Sequence, residues 1–195
     1  MKVRETALPG VLLLSPKIYR DERGAFLETF NSRVMAEAGL PTEWVQDNFS
    51  LSKKNVLRGI HYQITQPQGK LVRVTEGAVL DVAVDLRRSS AAFGKHVAAE
   101  LSAEAGEMLW IPAGFGHGFL ALTDGVGFAY KVTDYYSPAA ERTIVWNDAE
   151  IGIAWPIDAA DAIVSEKDRA GPGCGMRTFF LRTALLSSLD RGCGV

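Results

Sequence analysis

The fold is decided by GEMLWIPAGFGH, residues 106–117, which has the spacing G(x)5PxG(x)2H and ends at His117. Earlier in the chain, LRGIHYQ at residues 57–63 has the composition of a buried strand, yet it contains an arginine and a histidine. A charge and a titratable ring inside such a strand usually have a chemical reason. These two stretches therefore indicate where a functional site lies.

The spacing of residues 106–117 resembles the second motif of the cupin barrels, so His61 and His117 are expected to face one cavity. Metal-binding cupins carry His-x-His and a downstream Glu in their first motif, whereas this chain has His61-Tyr62-Gln63. With one imidazole there, a site of three or four metal ligands is hard to assemble. We therefore expect a pocket for an organic ligand, with no metal and no other cofactor.

The composition fits one globular domain. The chain has 195 residues, 47% of them hydrophobic and 23% charged, and a net charge of -2. This length can bury a sizeable core, and this charge gives no general attraction to nucleic acid or anionic membranes. The start, MKVRETALPG, lacks the apolar run of a signal peptide, and no segment has the length of a membrane span. We therefore expect a cytoplasmic protein without nucleic-acid or membrane partners.

Short apolar runs between turn signals predict an all-β protein. The predicted strands are residues 11–14, 26–30, 56–63, 70–76, 79–86, 95–101, 108–111, 118–122 and 127–133, and helical periodicity occurs only near residues 32–38. Glu76-Gly77 and Asp124-Gly125 have the composition of hairpin turns between neighbouring strands. Alternation within residues 79–86 predicts one apolar face and an opposite face that carries Asp81 and Asp85.

The C-terminal segment differs in character from the rest. Gly171-Pro172-Gly173 interrupts the chain, and the apolar residues at 179–181 and 184–186 either form an amphipathic helix packed on the barrel or are poorly ordered. We therefore assign residues 1–168 to a cupin-type domain and residues 169–195 to a tail. Cys174 and Cys193 both lie in this tail and not in the core, so no disulfide framework is expected to hold the fold.

Seven blocks of sequence between residues 1 and 168 fall in the order and spacing of one enzyme family. They are residues 21–24 (DERG), 46–48 (QDN), 57–63 (LRGIHYQ), 69–73 (GKLVR), 81–87 (DVAVDLR), 110–119 (WIPAGFGHGF) and 165–168 (SEKD). Together they resemble the dTDP-4-dehydrorhamnose 3,5-epimerase family. The resemblance implies a cupin-type jelly roll with short peripheral helices, a homodimer, no metal, and inversion of the two carbons that flank the keto group of a dTDP-linked 4-keto-6-deoxyhexose.

Inverting a carbon next to a ketone requires a base, a donor that stabilises the enolate oxygen, and an acid on the opposite face. His61 is the natural base, because imidazole titrates near the working pH of most enzymes. By resemblance, Asp168 orients His61 through the second ring nitrogen, Lys70 stabilises the enolate, and Tyr130 is the acid.

Each of these residues also has a purely structural interpretation. His61 is then a core or rim histidine, and Lys70 is an edge-strand lysine that blunts pairing. Tyr130 shares strand parity with apolar neighbours and belongs to an aromatic core. Asp168 follows Ser165 in a pattern that is typical of the start of a helix.

A diphosphate requires cations, and arginine binds it through a planar fork. By resemblance, the substrate contacts are Arg23, Phe26, Glu28, Gln46, Asp47, Asn48, Arg58, Lys70, His117, Glu141 and Lys167. Strict alternation places Arg58 and His61 on opposite faces of their strand. Gly59 between them is predicted to mark a bulge that turns both side chains toward the cavity.

The leading hypothesis is a cofactor-free isomerase that epimerises C3 and C5 of dTDP-4-dehydro-6-deoxy-D-glucose to give dTDP-4-dehydro-L-rhamnose. An enzyme that epimerises one centre, or a ketoisomerase acting on a related sugar, shares most of these residues. Retention of both His61 and Tyr130 favours epimerisation at two centres. A metal-dependent cupin oxygenase and a non-catalytic sugar-nucleotide binding module are the alternatives from other classes.

Overall fold

The computed structural model describes residues 1–174, which contain fourteen strands and two short helices. Neither helix is long and apolar enough to cross a membrane. The elements are β1 (Lys2–Glu5), β2 (Leu12–Ser15), β3 (Ile18–Asp21), β4 (Gly24–Leu27), α1 (Ser32–Glu37), β5 (Gln46–Ser52), β6 (Val56–Gln63), β7 (Lys70–Glu76), β8 (Ala78–Asp85), β9 (His96–Ser102), β10 (Met108–Ile111), β11 (Phe115–Ala121), β12 (Val126–Val132), β13 (Glu141–Thr143), β14 (Ile163–Val164) and α2 (Glu166–Arg169).

Two six-stranded sheets form the body of the protein. The first has the order β1-β2-β10-β7-β12-β5, and the second has the order β13-β6-β11-β8-β9 with β14 paired in parallel to β6. A separate hairpin is made by β3 and β4. The prediction of an all-β, cupin-type jelly roll with short helices is confirmed.

The two sheets face each other across one apolar core. Val72 and Phe128 from the first sheet pack with Ala83 and Phe119 from the second, and all four are at least 96% buried. Phe119 and Phe128 stack with ring centroids 4.2 Å apart. Since strand side chains alternate, the same strands also present a second set of residues to the outer faces.

Both outer faces are partly covered. Asn31 caps α1 by accepting from the backbone amides of Arg33 and Val34, and Met35 of this helix is buried against the first sheet. On the second sheet, β8 is buried on both faces, because Val82 and Val84 pack under Ile144 and Ile151.

The turns at Glu76-Gly77 and Asp124-Gly125 are not hairpin turns, and this prediction is wrong. Gly77 joins β7 to β8 and Gly125 joins β11 to β12, and in each case the chain passes from one sheet to the other. Both glycines have positive φ, at 73° and 65°, as a hairpin would require. The positive φ that such a turn needs is therefore present, but it does not specify which sheet the next strand joins.

The prediction that Cys174 lies outside the core is also wrong. The backbone amide of Val145 donates to the carbonyl of Pro172, and that of Cys174 donates to Asp148. These bonds hold Cys174 against Ile144 and Ile151, where it is buried. The division at residue 168 stays a prediction, and Cys193 and the rest of the tail beyond residue 174 lie outside the described residues.

Strands β6 and β11 approach each other closely at a pair of glycines. His117 faces His61 in the register, whereas Phe119 faces Arg58, so the pairing shifts between these positions and the predicted bulge is confirmed. Gly59 has φ of 128°, and a Cβ built there would lie 2.5 Å from the Cα of Gly118. Only glycine fits this contact, because the backbones themselves meet.

We expect Gly59→Ala to destabilise the protein by about 1–3 kcal/mol more than Gly24→Ala, because the added methyl group forces the two strands apart. Gly24 is the matched control, since its φ is nearly the same, at 127°, but a Cβ there meets nothing within 4 Å. Urea unfolding followed by circular dichroism measures both values. Equal losses for the two variants would show that the close approach contributes nothing.

Candidate active site

His61 lies on β6, next to the bulge, with its ring in a cavity between the two sheets. We call this the inter-sheet cavity, and it is lined by His61, Tyr62, Gln63, Gln68, Lys70, Tyr130, Tyr136 and Glu141. His61 keeps 28% of its side-chain surface exposed. It is therefore a rim residue that a ligand can reach, and not a sealed core residue.

Asp168 holds His61 in place from α2. Its Oδ1 lies 2.5 Å from His61 Nε2, and its Oδ2 accepts from the backbone amide of Gly59. Burial acts to raise the pKa of Asp168, but the hydrogen bond and charge of His61, together with the hydrogen bonds from Gly59 and Ser165, hold the pKa below its usual value. Because an ionised carboxylate only accepts, His61 carries its proton on Nε2, and Nδ1 is left as the basic nitrogen.

Asp168 is also a helix residue, as its structural interpretation predicted. Ser165 caps α2, and its hydroxyl accepts from the backbone amide of Asp168. This cap holds the backbone of Asp168, whose side chain bonds to His61. The two interpretations of Asp168 are therefore compatible, because the cap positions the carboxylate.

Lys70 and Tyr130 enter the inter-sheet cavity from the facing sheet. Lys70 begins β7, which is a central strand, and its side chain is buried, so the edge-strand interpretation is wrong. Burial lowers the pKa of Lys70 to about 8, although Asp81 and then Glu141 act in the opposite direction. Burial, followed by the charge of Glu141, raises the pKa of Tyr130, so its phenol stays protonated at neutral pH.

His117 was expected to face the same cavity as His61, but it is buried and does not line the inter-sheet cavity. Its Nε2 is 2.9 Å from Oδ2 of Asp81, and its ring stacks on Phe128 with centroids 6.0 Å apart. Burial lowers the pKa of His117, and Asp81 offsets part of that shift. His61 and His117 thus form a pair across two neighbouring strands, and each has its own carboxylate.

The rim of the cavity is polar and cross-linked. Glu141 accepts from Lys167 at 2.6 Å and from the Tyr136 hydroxyl at 2.9 Å. Burial acts to raise the pKa of Glu141, but Lys167 and Tyr136 outweigh it and hold the pKa below its usual value. Sequence reasoning missed Tyr136. The only signal was its place in the Tyr135-Tyr136 pair after β12, which does not distinguish a cavity residue from a surface one.

Three further residues that were predicted to contact the substrate lie near this cavity. Gln46 and Asn48 line a pocket that shares Gln68, Tyr130 and Tyr136 with it, and Gln46 donates to Asn48. Arg58 lines an adjoining cleft with His61, Lys167 and Asp168. The bulge at Gly59 thus brings Arg58 and His61 to one cleft, although Arg58 does not line the inter-sheet cavity toward which it was predicted to turn.

Four other residues that were predicted to contact the substrate lie away from this cavity. Arg23 and Phe26 line a pocket on the β3-β4 hairpin, where Arg23 pairs with Asp21 and Phe26 is 70% exposed. Glu28 follows this hairpin and accepts from Asn31. Asp47 is on the opposite face of β5 from its neighbours and pairs with Lys131 at 2.8 Å. None of these four lines the inter-sheet cavity within one chain.

The inter-sheet cavity combines an oriented imidazole, a buried ammonium group and a protonated phenol on two facing walls. Such a set supports removal of a proton from one side of a substrate, stabilisation of an oxyanion, and return of a proton from the other side. Within residues 1–174, no three His, Cys, Asp or Glu side chains group closely enough to hold a metal ion. The arrangement is suited to acid-base chemistry on an organic substrate.

Comparison with known proteins matches residues 5–174 to the family model of dTDP-4-dehydrorhamnose 3,5-epimerase. The chain is 54% identical over 172 residues to the dTDP-4-dehydrorhamnose 3,5-epimerase of Pseudomonas aeruginosa, covering 88% of this chain and 94% of that relative. It is 51% identical over 174 residues to the enzyme of the same name from Salmonella typhimurium, covering 88% and 94%.

A solved structure gives the same match. The dTDP-6-deoxy-D-glucose-3,5-epimerase of Legionella pneumophila, crystallised in complex with dTDP-4-keto-L-rhamnose, superposes with a TM-score of 0.89 at 43% identity. The alignment covers 94% of this chain and 99% of the other. Sequence and fold therefore agree over nearly the whole described part of the chain.

Proposed function

The chain belongs to the dTDP-4-dehydrorhamnose 3,5-epimerase family, and we propose that its reaction takes place in the inter-sheet cavity at His61, Lys70 and Tyr130. It is an isomerase that epimerises C3 and C5 of dTDP-4-dehydro-6-deoxy-D-glucose to give dTDP-4-dehydro-L-rhamnose. The observation that carries the choice of site is the His61–Asp168 pair opposite Lys70 and Tyr130.

His61 is the base. With Nε2 bound to Asp168, Nδ1 is the nitrogen that removes a proton from C3 or C5. Asp168 keeps the ring in this tautomer and stabilises the imidazolium that forms. The 4-keto group makes both protons acidic, because either loss gives an enolate conjugated with the same oxygen.

Lys70 stabilises that oxygen. Its ammonium group is buried at the cavity wall, where a charge interacts strongly with a developing oxyanion. A donor in this role typically contributes about 3 kcal/mol to lowering the barrier.

Tyr130 returns a proton from the opposite face. His61 belongs to the second sheet and Tyr130 to the first, so a sugar ring between them is approached from two sides. Loss of a proton to one wall and gain from the other inverts the carbon.

Gln46, Asn48, Arg58 and Lys167 are proposed to hold the nucleotide, since they lie at the pockets next to the inter-sheet cavity. Arg58 supplies a guanidinium fork for the diphosphate. We also propose that the enzyme acts in the cytoplasm without nucleic-acid or membrane partners, consistent with its net charge of -2.

The β3-β4 hairpin is proposed to complete the site of a second copy in a homodimer. Its Phe26 and Tyr19 are 70% and 55% exposed, and the edge strand β5 exposes Phe49 and Leu51. Exposed apolar groups of this kind on an unpaired strand edge are typical of an interface. Contact between copies would bring Arg23 and Phe26 to a cavity that they do not reach in their own chain.

We expect the wild-type enzyme to exchange both the C3 and C5 protons of the keto sugar in heavy water, without added metal or nicotinamide and with a chelator present. His61→Ala should lose exchange at both carbons, by about 10²- to 10⁴-fold in rate, while dTDP binding persists. Proton NMR measures exchange, and calorimetry measures binding.

His96→Ala is the matched control, since His96 lies on β9 and does not line the inter-sheet cavity. Exchange at one carbon only in the wild type would identify a single-centre epimerase. Exchange that survives His61→Ala would place the reaction elsewhere, and loss of dTDP affinity would make His61 a binding residue.

Tyr130→Phe should keep part of the proton exchange but suppress net inversion, since His61 still removes and replaces a proton on its own face. Phenylalanine keeps nearly the same packing volume and lacks only the hydroxyl. The ratio of exchange to inversion, measured by NMR on one sample, is the readout. If exchange and inversion fall together, Tyr130 is not a separate acid.

The hairpin proposal predicts complementation between two impaired variants. After mixing and subunit exchange, His61→Ala with an Arg23→Ala/Phe26→Ala variant should recover up to about one quarter of wild-type activity, because half of the dimers are mixed and each has one intact site. His61→Ala mixed with Tyr130→Phe is the control and should recover nothing, since both residues line one cavity. No recovery in the first mixture would show that the hairpin serves its own chain.

A further inference from the structure

Asp81 is a completely buried carboxylate near the inter-sheet cavity, and none of the proposed proton transfers uses it. It has no exposed surface, and its Oδ2 bonds to His117. Its Oδ1 has no hydrogen-bond partner within the described part of the chain. A buried carboxylate with an unpaired oxygen is costly unless nearby positive charge compensates it.

Lys70 is the nearby cation. It is buried, and Asp81 is the first of the groups that raise the pKa of Lys70 against the effect of burial. Lys70 makes no direct ion pair within residues 1–174. By strand alternation Lys70 lies on the same face of β7 as Val72, and Asp81 lies on the same face of β8 as Ala83. Val72 and Ala83 pack in one core, so both charged side chains face the space between the two sheets without a direct contact.

The other ionisable groups around Lys70 do not replace Asp81. Neither His61 on β6 nor His117 on β11 carries a negative charge, and Tyr130 on β12 is a protonated phenol. Glu141 on β13 is the other carboxylate that acts on Lys70, but it is already bonded to Lys167 and Tyr136.

We propose that Asp81 is a positioning residue of this active site, which fixes the tautomer of His117 through Oδ2 and keeps Lys70 protonated through its negative charge. This inference rests on the proposed reaction in the inter-sheet cavity. Since a carboxylate accepts, His117 carries its proton on Nε2, and Nδ1 remains for a substrate hydroxyl. A protonated Lys70 donates to the enolate oxygen, which a neutral amine does only weakly.

The test is Asp81→Asn, with epimerisation rates measured against pH. Asparagine keeps the shape and removes the charge. In the wild type the pKa of Lys70 is about 8, and the charge of Asp81 raises it. Removal of this charge in the variant therefore lowers the pKa of Lys70. A lysine loses its proton above its pKa, so the alkaline fall in activity should begin at lower pH in the variant than in the wild type.

We also expect kcat at neutral pH to fall by about 10- to 100-fold with little change in KM, because the nucleotide contacts are intact.

Asp85→Asn is the matched control. Asp85 lies on the same strand and the same face, is equally buried, and bonds to Arg87 and Ser90 instead of a cavity residue. This variant should lose stability without moving the pH profile. An unchanged pH profile for Asp81→Asn would overturn the proposal. This holds whether the variant is fully active or its activity falls only in parallel with its thermal stability.

A second measurement uses the wild-type protein and does not depend on the variant folding. Nitrogen-15 NMR of the histidine rings should show His117 protonated at Nε2 and free at Nδ1 near neutral pH, and protonation at Nδ1 alone overturns the proposal. The proposed function has a separate test. If His61→Ala stays active, the choice of cavity fails, whereas an inactive His61→Ala with an unshifted Asp81→Asn profile rejects only the role of Asp81.

Discussion

The close approach of β6 and β11 at Gly59 and Gly118 is the constraint on which the active site depends. Two regular strands would place Arg58 and His61 on opposite faces. The register shift between these glycines turns both toward one cleft and leaves His61 directly opposite His117. The backbone amide of Gly59 also donates to Asp168, so the same irregularity helps to orient the carboxylate that is bonded to His61.

Buried charge is the second requirement of the site, and it opposes stability. Lys70, Asp81, His117 and Asp168 are all at least 92% buried, and each such group costs free energy unless it is paired. Asp168 is paired with His61, and Asp81 is paired with His117. Lys70 lies in the cavity between the two sheets. The same low-dielectric surroundings strengthen the interaction of the Lys70 ammonium group with a developing negative charge. Stability is thus traded for a site whose polar groups are oriented before the substrate arrives.

One chain presents a complete set of groups for proton transfer, but not all of the groups expected to hold the nucleotide. His61, Lys70 and Tyr130 share one cavity, while Arg23 and Phe26 lie on a hairpin with a pocket of its own. The chemistry depends on the packing of two sheets within a chain. Nucleotide binding, in the proposed dimer, depends also on contact between chains.

The sequence by itself determined the all-β architecture and the approximate bounds of most strands, because alternation and turn composition are local properties of the chain. It also indicated the bulge at Gly59, since a glycine between two polar residues in a strand breaks the alternation. Tertiary structure decided which sheet each strand joins, as at Glu76-Gly77, because the same positive-φ turn serves a hairpin or a crossing. It also decided that Asp81 is buried against His117 and that Cys174 is buried. These outcomes depend on contacts between residues far apart in the chain, which no local pattern encodes.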